Sequence, residues 1–182
     1  MEIFLSMQYS ILSAADHIRA FNALLRAPRL LTTSTVTVAR GAVEAFARAW
    51  HLATAGDLDD AQGRHLSALY SELRYPLTLG EQIYLRDGRP TDAEESRAQY
   101  KDELERLGLG APARFETSRI TAEFLSAAFQ DDCGRLTYST LSSVAHGHRL
   151  GVNSFIFTDD SGGVAGLTNT RQIVLDLVST LT

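Results

Sequence analysis

The stretch from Thr32 to Thr54 constrains the fold of this chain more than any other segment. Its apolar residues recur every three or four positions, which places them along one face of an α-helix. The spacing approaches a heptad repeat and is typical of antiparallel helices in a bundle. Because the segment begins with several Thr and Val residues, which are mediocre helix formers, packing must supply much of its stability. The apolar seam consists of Val36, Ala39, Val43, Phe46, Trp50 and Ala53.

Similar periodicities before and after this segment predict an all-α fold, an up-and-down helical bundle of about six to seven helices. A Thr91-to-Glu94 capping box is expected to open the fourth helix, and Pro76 to interrupt the third. Near residues 153–165 the sequence indicates either a short β-hairpin or an ordered loop. The absence of a repeat or linker predicts a single helical domain over residues 1–182. The expected helices besides Thr32–Thr54 cover residues 2–27, 57–87, 91–107, 117–131, 132–147 and 171–178.

Composition limits the classes of function. With 182 residues, 45% hydrophobic and 21% charged, the chain fits one domain with a substantial core. The net charge of -5 argues against a surface built mainly to coat nucleic acid, although it leaves room for a local basic groove. A single cysteine, Cys133, excludes an internal disulfide and a multi-cysteine zinc site, and it fits a cytoplasmic location. Since no apolar run approaches the ~20 residues of a membrane span, we expect no membrane partner.

The second helix carries a polar stripe beside its apolar seam. Arg40, Glu44, Ala47 and His51 fall at i, i+4, i+7 and i+11, which aligns them along the helix. Arg40 and Glu44 are spaced to form an ion pair. The stripe is therefore either the rim of a helix contact or a guanidinium positioned at a cleft.

A second polar row lies on the helix predicted over 132–147. Its members repeat at the same helical spacing, with Tyr138, Leu141, Val144 and Ala145 on the adjacent apolar side. Serines also allow helices to approach closely, and a histidine is favoured at a helix C-terminus, so this row too has a purely structural interpretation. If the chain has a site, we expect it where the two stripes meet. The row consists of Arg135, Ser139, Ser142, His146 and Arg149.

Several kinds of catalytic or metal site lack their usual pattern. Ser142 and His146 could touch, but no G-x-S-x-G turn accompanies them. The five histidines form no H-x-x-x-H pair, and the Asp159–Gly163 turn lacks the glutamate that completes a calcium loop. The sequence therefore predicts no metal and no cofactor.

Three segments together resemble a known superfamily. They are Asp16–Ile18, Ala39–Glu44 and Tyr138–Gly147, and they are similar to uncharacterised helical proteins related to the HEPN superfamily, including abortive-infection types. The resemblance implies a helical bundle, often dimeric. It also implies metal-independent RNA cleavage in toxin–antitoxin or defence systems, through an R-x4-6-H motif.

His146 matches the histidine of that motif, but Ser139–Leu141 occupy the place of the arginine. On this resemblance His146 and Arg40 are the catalytic candidates, with Arg149 another source of the missing charge. The expected partners are RNA or a nucleotide, a second copy of the chain, and a neutralising protein. Two alternatives remain: a non-catalytic protein-interaction module, and a bundle that binds a small ligand between Phe46, Trp50 and Tyr138. The candidate binding residues are Glu44, His51, Tyr138, Ser139, Ser142, Arg135 and Arg149.

Overall fold

The computed structural model describes residues 2–27, 32–80, 82–84, 88–149, 156–158 and 164–167. These residues form α-helices and two small antiparallel hairpins, so the predicted all-α fold is confirmed. Within the described residues, no helix combines the length and apolar character needed to cross a membrane. The helices are α1 (Glu2–Leu25), α2 (Thr32–Ala53), α3 (Leu58–Glu72), α4 (Arg74–Leu79), α5 (Ala93–Arg106), α6 (Thr117–Phe129) and α7 (Gly134–Ala145). The strands are β1 (Ile83–Tyr84), β2 (Pro90–Thr91), β3 (Ile156–Thr158) and β4 (Val164–Leu167).

Contacts along the chain group its residues into two compact units. Unit 1 comprises Met1–Met7 with His51–Glu116, and unit 2 comprises Gln8–Trp50 with Thr117–Thr182. Helices α1 and α2 each contribute residues to both units. A single domain over residues 1–182 therefore stays a prediction.

Unit 2 is built around the pairing of α6 with α7. Ile120 and Leu125 of α6 are each 1% exposed, and Leu141 and Val144 of α7 form a buried cluster with Val36 of α2. The apolar face that periodicity assigned to α2 is thus buried at Val36 and Val43, whereas Ala53 at the end of the seam is exposed. Burial of these faces is the main source of stability for helices of this length.

Helix α7 begins against the backbone of α6. The amide N–H of Gly134, the first residue of α7, donates to Oγ of Ser126 at 3.2 Å. A Cβ atom at Gly134 would lie 2.1 Å from the carbonyl oxygen of Ala122, so no side chain fits at this point. Glycine allows the two helices to approach this closely.

Unit 1 packs α3 against α5. Leu66 of α3 is 6% exposed and Leu104 of α5 is 1% exposed, so both side chains are buried. The N-cap of α5 is Asp92, whose carboxylate accepts from the amide N–H of Glu94 at 2.6 Å. The prediction that Thr91 caps this helix is wrong, because Thr91 lies in β2.

The region after α3 differs from the long interrupted helix predicted over 57–87. The break falls near Pro76 as expected, but Pro76 itself occupies the first turn of α4, where a missing N–H removes no helical hydrogen bond. Beyond Gly80, Ile83 pairs with Thr91 in an antiparallel hairpin. The helical spacing of Ile83 with preceding leucines was therefore misleading.

Strands β3 and β4 form a second antiparallel hairpin, with a register irregularity between Phe157 and Thr158. Of the two structures predicted near residues 153–165, a short hairpin or an ordered loop, the structure contains the hairpin, and it ends two residues further along the chain. The helix predicted over 171–178 lies outside the described residues.

Candidate functional site

The side chain of Arg40 lies at the centre of a polar cluster in unit 2. Its guanidinium uses all three nitrogens: Nε donates to Oε1 of Glu44 at 2.8 Å, Nη1 to Nε2 of His146 at 3.0 Å, and Nη2 to the hydroxyl of Tyr138 at 3.4 Å. Arg40 and Glu44 come from α2, whereas Tyr138 belongs to α7 and His146 caps its C-terminus. We call these four residues the Arg40 cluster.

Glu44 connects the two sides of the cluster. Its Oε1 accepts from the Tyr138 hydroxyl at 2.8 Å in addition to Nε of Arg40. The side chains of Arg40 and Glu44 are 19% and 24% exposed, so this ion pair is more protected than an ordinary surface pair. The guanidinium also lies 5.6 Å from the centre of the Tyr138 ring, within range of a cation–π interaction. These contacts hold the guanidinium in one orientation.

Two members of the cluster, Arg40 and Tyr138, have a raised pKa. Burial acts to lower the pKa of Arg40, but the hydrogen bond and charge of Glu44, with a contribution from Tyr138, outweigh it and raise that pKa. Burial, followed by the hydrogen bond and charge of Glu44, raises the pKa of Tyr138, while Arg40 opposes the shift. Around neutral pH the guanidinium is therefore charged and the phenol remains a donor.

His146 completes the cluster from an exposed position. Arginine has only donors, so the contact with Arg40 requires Nε2 of His146 to accept. The tautomer that fits this contact has its proton on Nδ1. The cluster thus presents a guanidinium beside an imidazole nitrogen that carries a lone pair, the two groups used in phosphate binding and proton transfer.

The C-terminal turn of α7 fixes His146. Its amide N–H donates to the carbonyl of Ser142 at 3.0 Å, and that of His148 donates to the carbonyl of Ser143 at 2.9 Å. Gly147 between them has φ of 65°, the left-handed conformation that favours glycine. The turn brings the ring of His148 to 5.8 Å from that of His146.

The structure brings together four of the residues singled out in the sequence and places the others elsewhere. Arg135, Ser139 and Arg149 are exposed, and Ser142 is half-buried. Within the described part of the chain, these four side chains are not part of the contacts that define the Arg40 cluster. The expected straight row on α7 therefore contributes to the cluster through His146 alone, with Tyr138 from the neighbouring face.

The polar stripe of α2 is interrupted. Ala47, which lies between Glu44 and His51 in the stripe, is fully buried at 0% exposure. His51 belongs to unit 1, where its ring meets that of Phe115 edge-on at 6.0 Å. The cluster thus takes two residues from the start of the stripe.

Two histidines that were not predicted as site residues, His17 and His148, lie next to members of the Arg40 cluster. The ring of His17 lies over Gly41, next to Arg40: a Cβ atom at Gly41 would be 2.7 Å from Cε1 of His17. A glycine inside the long helix α2 was the available signal for this close contact. For His148, the signal was the H-G-H sequence at the end of a helix.

Two of the three aromatic residues proposed as a ligand pocket, Trp50 and Tyr138, pack against other groups. The ring of Trp50 lies 5.9 Å from that of Phe124, and Tyr138 supports Arg40. Across the described ranges, no group of three or more His, Cys, Asp or Glu residues is arranged to hold a metal ion.

No family model matches the chain, and searches among curated proteins and solved structures give no match either. The HEPN resemblance therefore stays a prediction from the sequence. The functional hypothesis below rests on the geometry of the Arg40 cluster.

Proposed function

We propose that unit 2 binds phosphate groups of RNA or of a nucleotide at the Arg40 cluster. The observation that carries this proposal is the 3.0 Å contact between Nη1 of Arg40 and Nε2 of His146. The contact provides an arginine beside the histidine even though the short motif window before His146 contains none. Guanidinium groups bind phosphate oxygens through paired hydrogen bonds, and Glu44 and Tyr138 orient this one.

The same groups suit metal-independent cleavage of RNA. When a phosphate oxygen takes the place of Nε2 as the acceptor for Nη1 of Arg40, Nε2 of His146 is released and can take the proton of the adjacent 2′-hydroxyl. The 2′-oxygen then bonds to phosphorus, the bond to the 5′-oxygen breaks, and the imidazolium returns the proton to that leaving oxygen. Arg40 stabilises the charge on the phosphorane. The products are a 2′,3′-cyclic phosphate and a 5′-hydroxyl, so atoms and protons balance without a metal ion.

The test uses a fluorescent single-stranded RNA in the presence of EDTA, with binding read by anisotropy and cleavage on a gel. Arg40→Lys retains the positive charge but loses the planar guanidinium that donates two parallel hydrogen bonds to phosphate. We therefore expect roughly tenfold weaker RNA binding. His146→Ala should abolish cleavage, while its affinity for RNA should stay within about threefold of that of wild type. Arg135→Ala is the matched control, since it removes one exposed arginine outside the cluster.

Two results would contradict the proposal, and a third would limit it. Equal RNA affinity in wild type and Arg40→Ala would remove the cluster as the phosphate site. Binding by wild type without cleavage would limit the function to binding. A loss in Arg135→Ala as large as that in Arg40→Lys would show that general charge, and not the cluster, binds RNA.

A non-catalytic interaction module is the second candidate, and the exposed apolar residues of α1 favour it. Tyr9 and Leu12 are 62% and 63% exposed, and Ile11 is 46% exposed. Tyr9 and Leu12 lie one turn apart on the same face of α1, and exposed apolar side chains that adjoin one another often mark surfaces that bind other proteins. Failure of wild type to bind RNA would favour this candidate. The homodimer, the neutralising protein and the cytoplasmic location remain predictions from the sequence.

A further inference from the structure

Unit 1 contains a cavity of about 260 Å³ between α1, α3 and α5. Its lining combines apolar side chains, including Leu58 and Leu66, with four polar ones. Each of the polar side chains offers a hydrogen-bond acceptor: two carboxylates, an amide oxygen and an imidazole nitrogen. They belong to Glu2, Glu103, Gln62 and His65.

His65 is the unusual member of this lining. The residue is 5% exposed, and its Nε2 atom has no hydrogen-bond partner in the described part of the chain. Buried polar atoms in native proteins are almost always paired, so an unpaired one calls for an explanation such as a missing ligand. Burial lowers the pKa of His65, although the charges of Glu2 and Glu72 act in the opposite direction. The ring is therefore neutral near pH 7, and one of its nitrogens is an acceptor.

The lining of the cavity contains two carboxylates. Glu103 is neutralised by Arg106, whose Nε donates to Oε2 of Glu103 at 2.7 Å. Among the described residues Glu2 forms no such ion pair, and burial together with the positive charge of the chain's N-terminus lowers the pKa of His65. At Tyr100, burial raises the pKa, and the charges of Glu2 and Glu72 raise it further. Because the lining offers an unpaired imidazole nitrogen and the Glu2 carboxylate, a ligand for this cavity should be a hydrogen-bond donor that carries a positive charge.

We propose that this cavity binds a small organic cation, a protonated primary amine on a short aliphatic chain. The ammonium N–H groups would donate to the Glu2 carboxylate, to Nε2 of His65 and to the amide oxygen of Gln62. The aliphatic part would lie against Leu58 and Leu66. An inorganic divalent cation fits less well, because such ions require more oxygen ligands than this half-apolar lining provides.

The experiment titrates n-butylammonium, 1-butanol and butyrate into the full chain, tagged at its C-terminus so that the region of Glu2 is unaltered. Binding is measured by calorimetry and by the NMR shifts of the His65 ring nitrogens. We expect a Kd on the order of 1 mM for n-butylammonium, as befits a ligand of so few atoms. The neutral and anionic analogues should bind at least tenfold more weakly. Equal affinity for all three would overturn the proposal.

Three variants test whether the ligand binds at this cavity. Glu2→Gln should weaken n-butylammonium binding at least tenfold, whereas Glu105→Gln should leave it unchanged. Glu105 is the matched control because it is an exposed carboxylate of α5 paired with Lys101 at 3.8 Å. His65→Leu should abolish binding, and Glu2→Gln keeps the test valid if His65→Leu fails to fold. Wild-type affinity in Glu2→Gln would overturn the proposal.

Discussion

The two units treat their shielded polar side chains in opposite ways. In unit 2, Arg40 directs each of its three guanidinium nitrogens at a partner, and one carboxylate oxygen of Glu44 serves both Arg40 and Tyr138. In unit 1, His65 is more deeply buried, and its Nε2 has no partner among the described residues. The difference teaches that burial alone does not tell whether a polar residue stabilises a fold. Satisfied groups stabilise it, and unsatisfied ones are expected to do the reverse.

The largest expected effect is a loss of stability on removing Glu44. Glu44→Ala leaves Arg40 and Tyr138 without their common acceptor, and we expect the free energy of unfolding to fall by about 2 kcal/mol. Urea denaturation followed by circular dichroism would measure it. Glu105→Ala, which breaks an exposed pair of unit 1, should change stability by less than about 0.5 kcal/mol. Equal losses in the two variants would show that the cluster is no stronger than a surface ion pair.

A smaller effect of opposite sign is expected for His65→Leu. The substitution replaces an unpaired imidazole by an apolar side chain of similar size, and it should stabilise the protein by about 1 kcal/mol at pH 7.5. The pKa of His65 in the native state is lowered from 6.5, chiefly by burial. As pH falls below 6.5 the unfolded state binds a proton first, so wild type loses stability and its difference from the variant should widen. A destabilised variant, or a difference that does not depend on pH, would mean that His65 is satisfied in solution.

The smallest effect is expected at alkaline pH. Burial and Glu44 raise the native pKa of Tyr138 above 10.0, so the unfolded state loses its proton first. Stability is therefore retained below about pH 10 and is lost as pH rises through the native pKa. Between pH 8 and pH 10.5, wild type should lose more stability than Tyr138→Phe, as judged by denaturation midpoints, and the difference should be smaller than the two effects above because the side chain is only half-buried. Parallel losses in the two proteins would indicate that the phenol is not held by Glu44.

The helices could be predicted because their apolar faces follow a helical period. Val36, Leu141 and Val144 lie on faces assigned from spacing alone, and they form one buried cluster. The spacing of apolar residues is ambiguous where segments are short. Ile83 continues the helical spacing of Leu79 but lies in a strand. Cap residues are ambiguous for another reason, since Thr91 and Asp92 are both good N-caps and the backbone decides between them.

The candidate site could be predicted as a pair of helix faces but not as a set of contacts. Helical spacing placed Arg40 with Glu44, and it placed His146 on its own helix. Which arginine meets His146 depends on the rotation and register of α2 against α7, and these are set by packing at residues such as Leu141. The helical spacing of Ala61, His65 and Leu69 predicts that His65 lies on the apolar side of α3. The lack of a partner for its Nε2 among the described residues depends on how the neighbouring elements pack in the folded protein.

Gly134 shows how a position without a functional group can govern chemistry at a distance. A helix advances about 1.5 Å per residue, and the amide of Gly134 is bonded to Ser126 where no side chain fits. This contact sets how far α7 extends along α6, and hence how far Tyr138 and His146 extend toward α2. A methyl group at position 134 would displace the helix and take both residues with it. Such a variant would lose the Arg40 cluster with all four of its side chains intact, and a survey restricted to reactive residues would not reveal the cause.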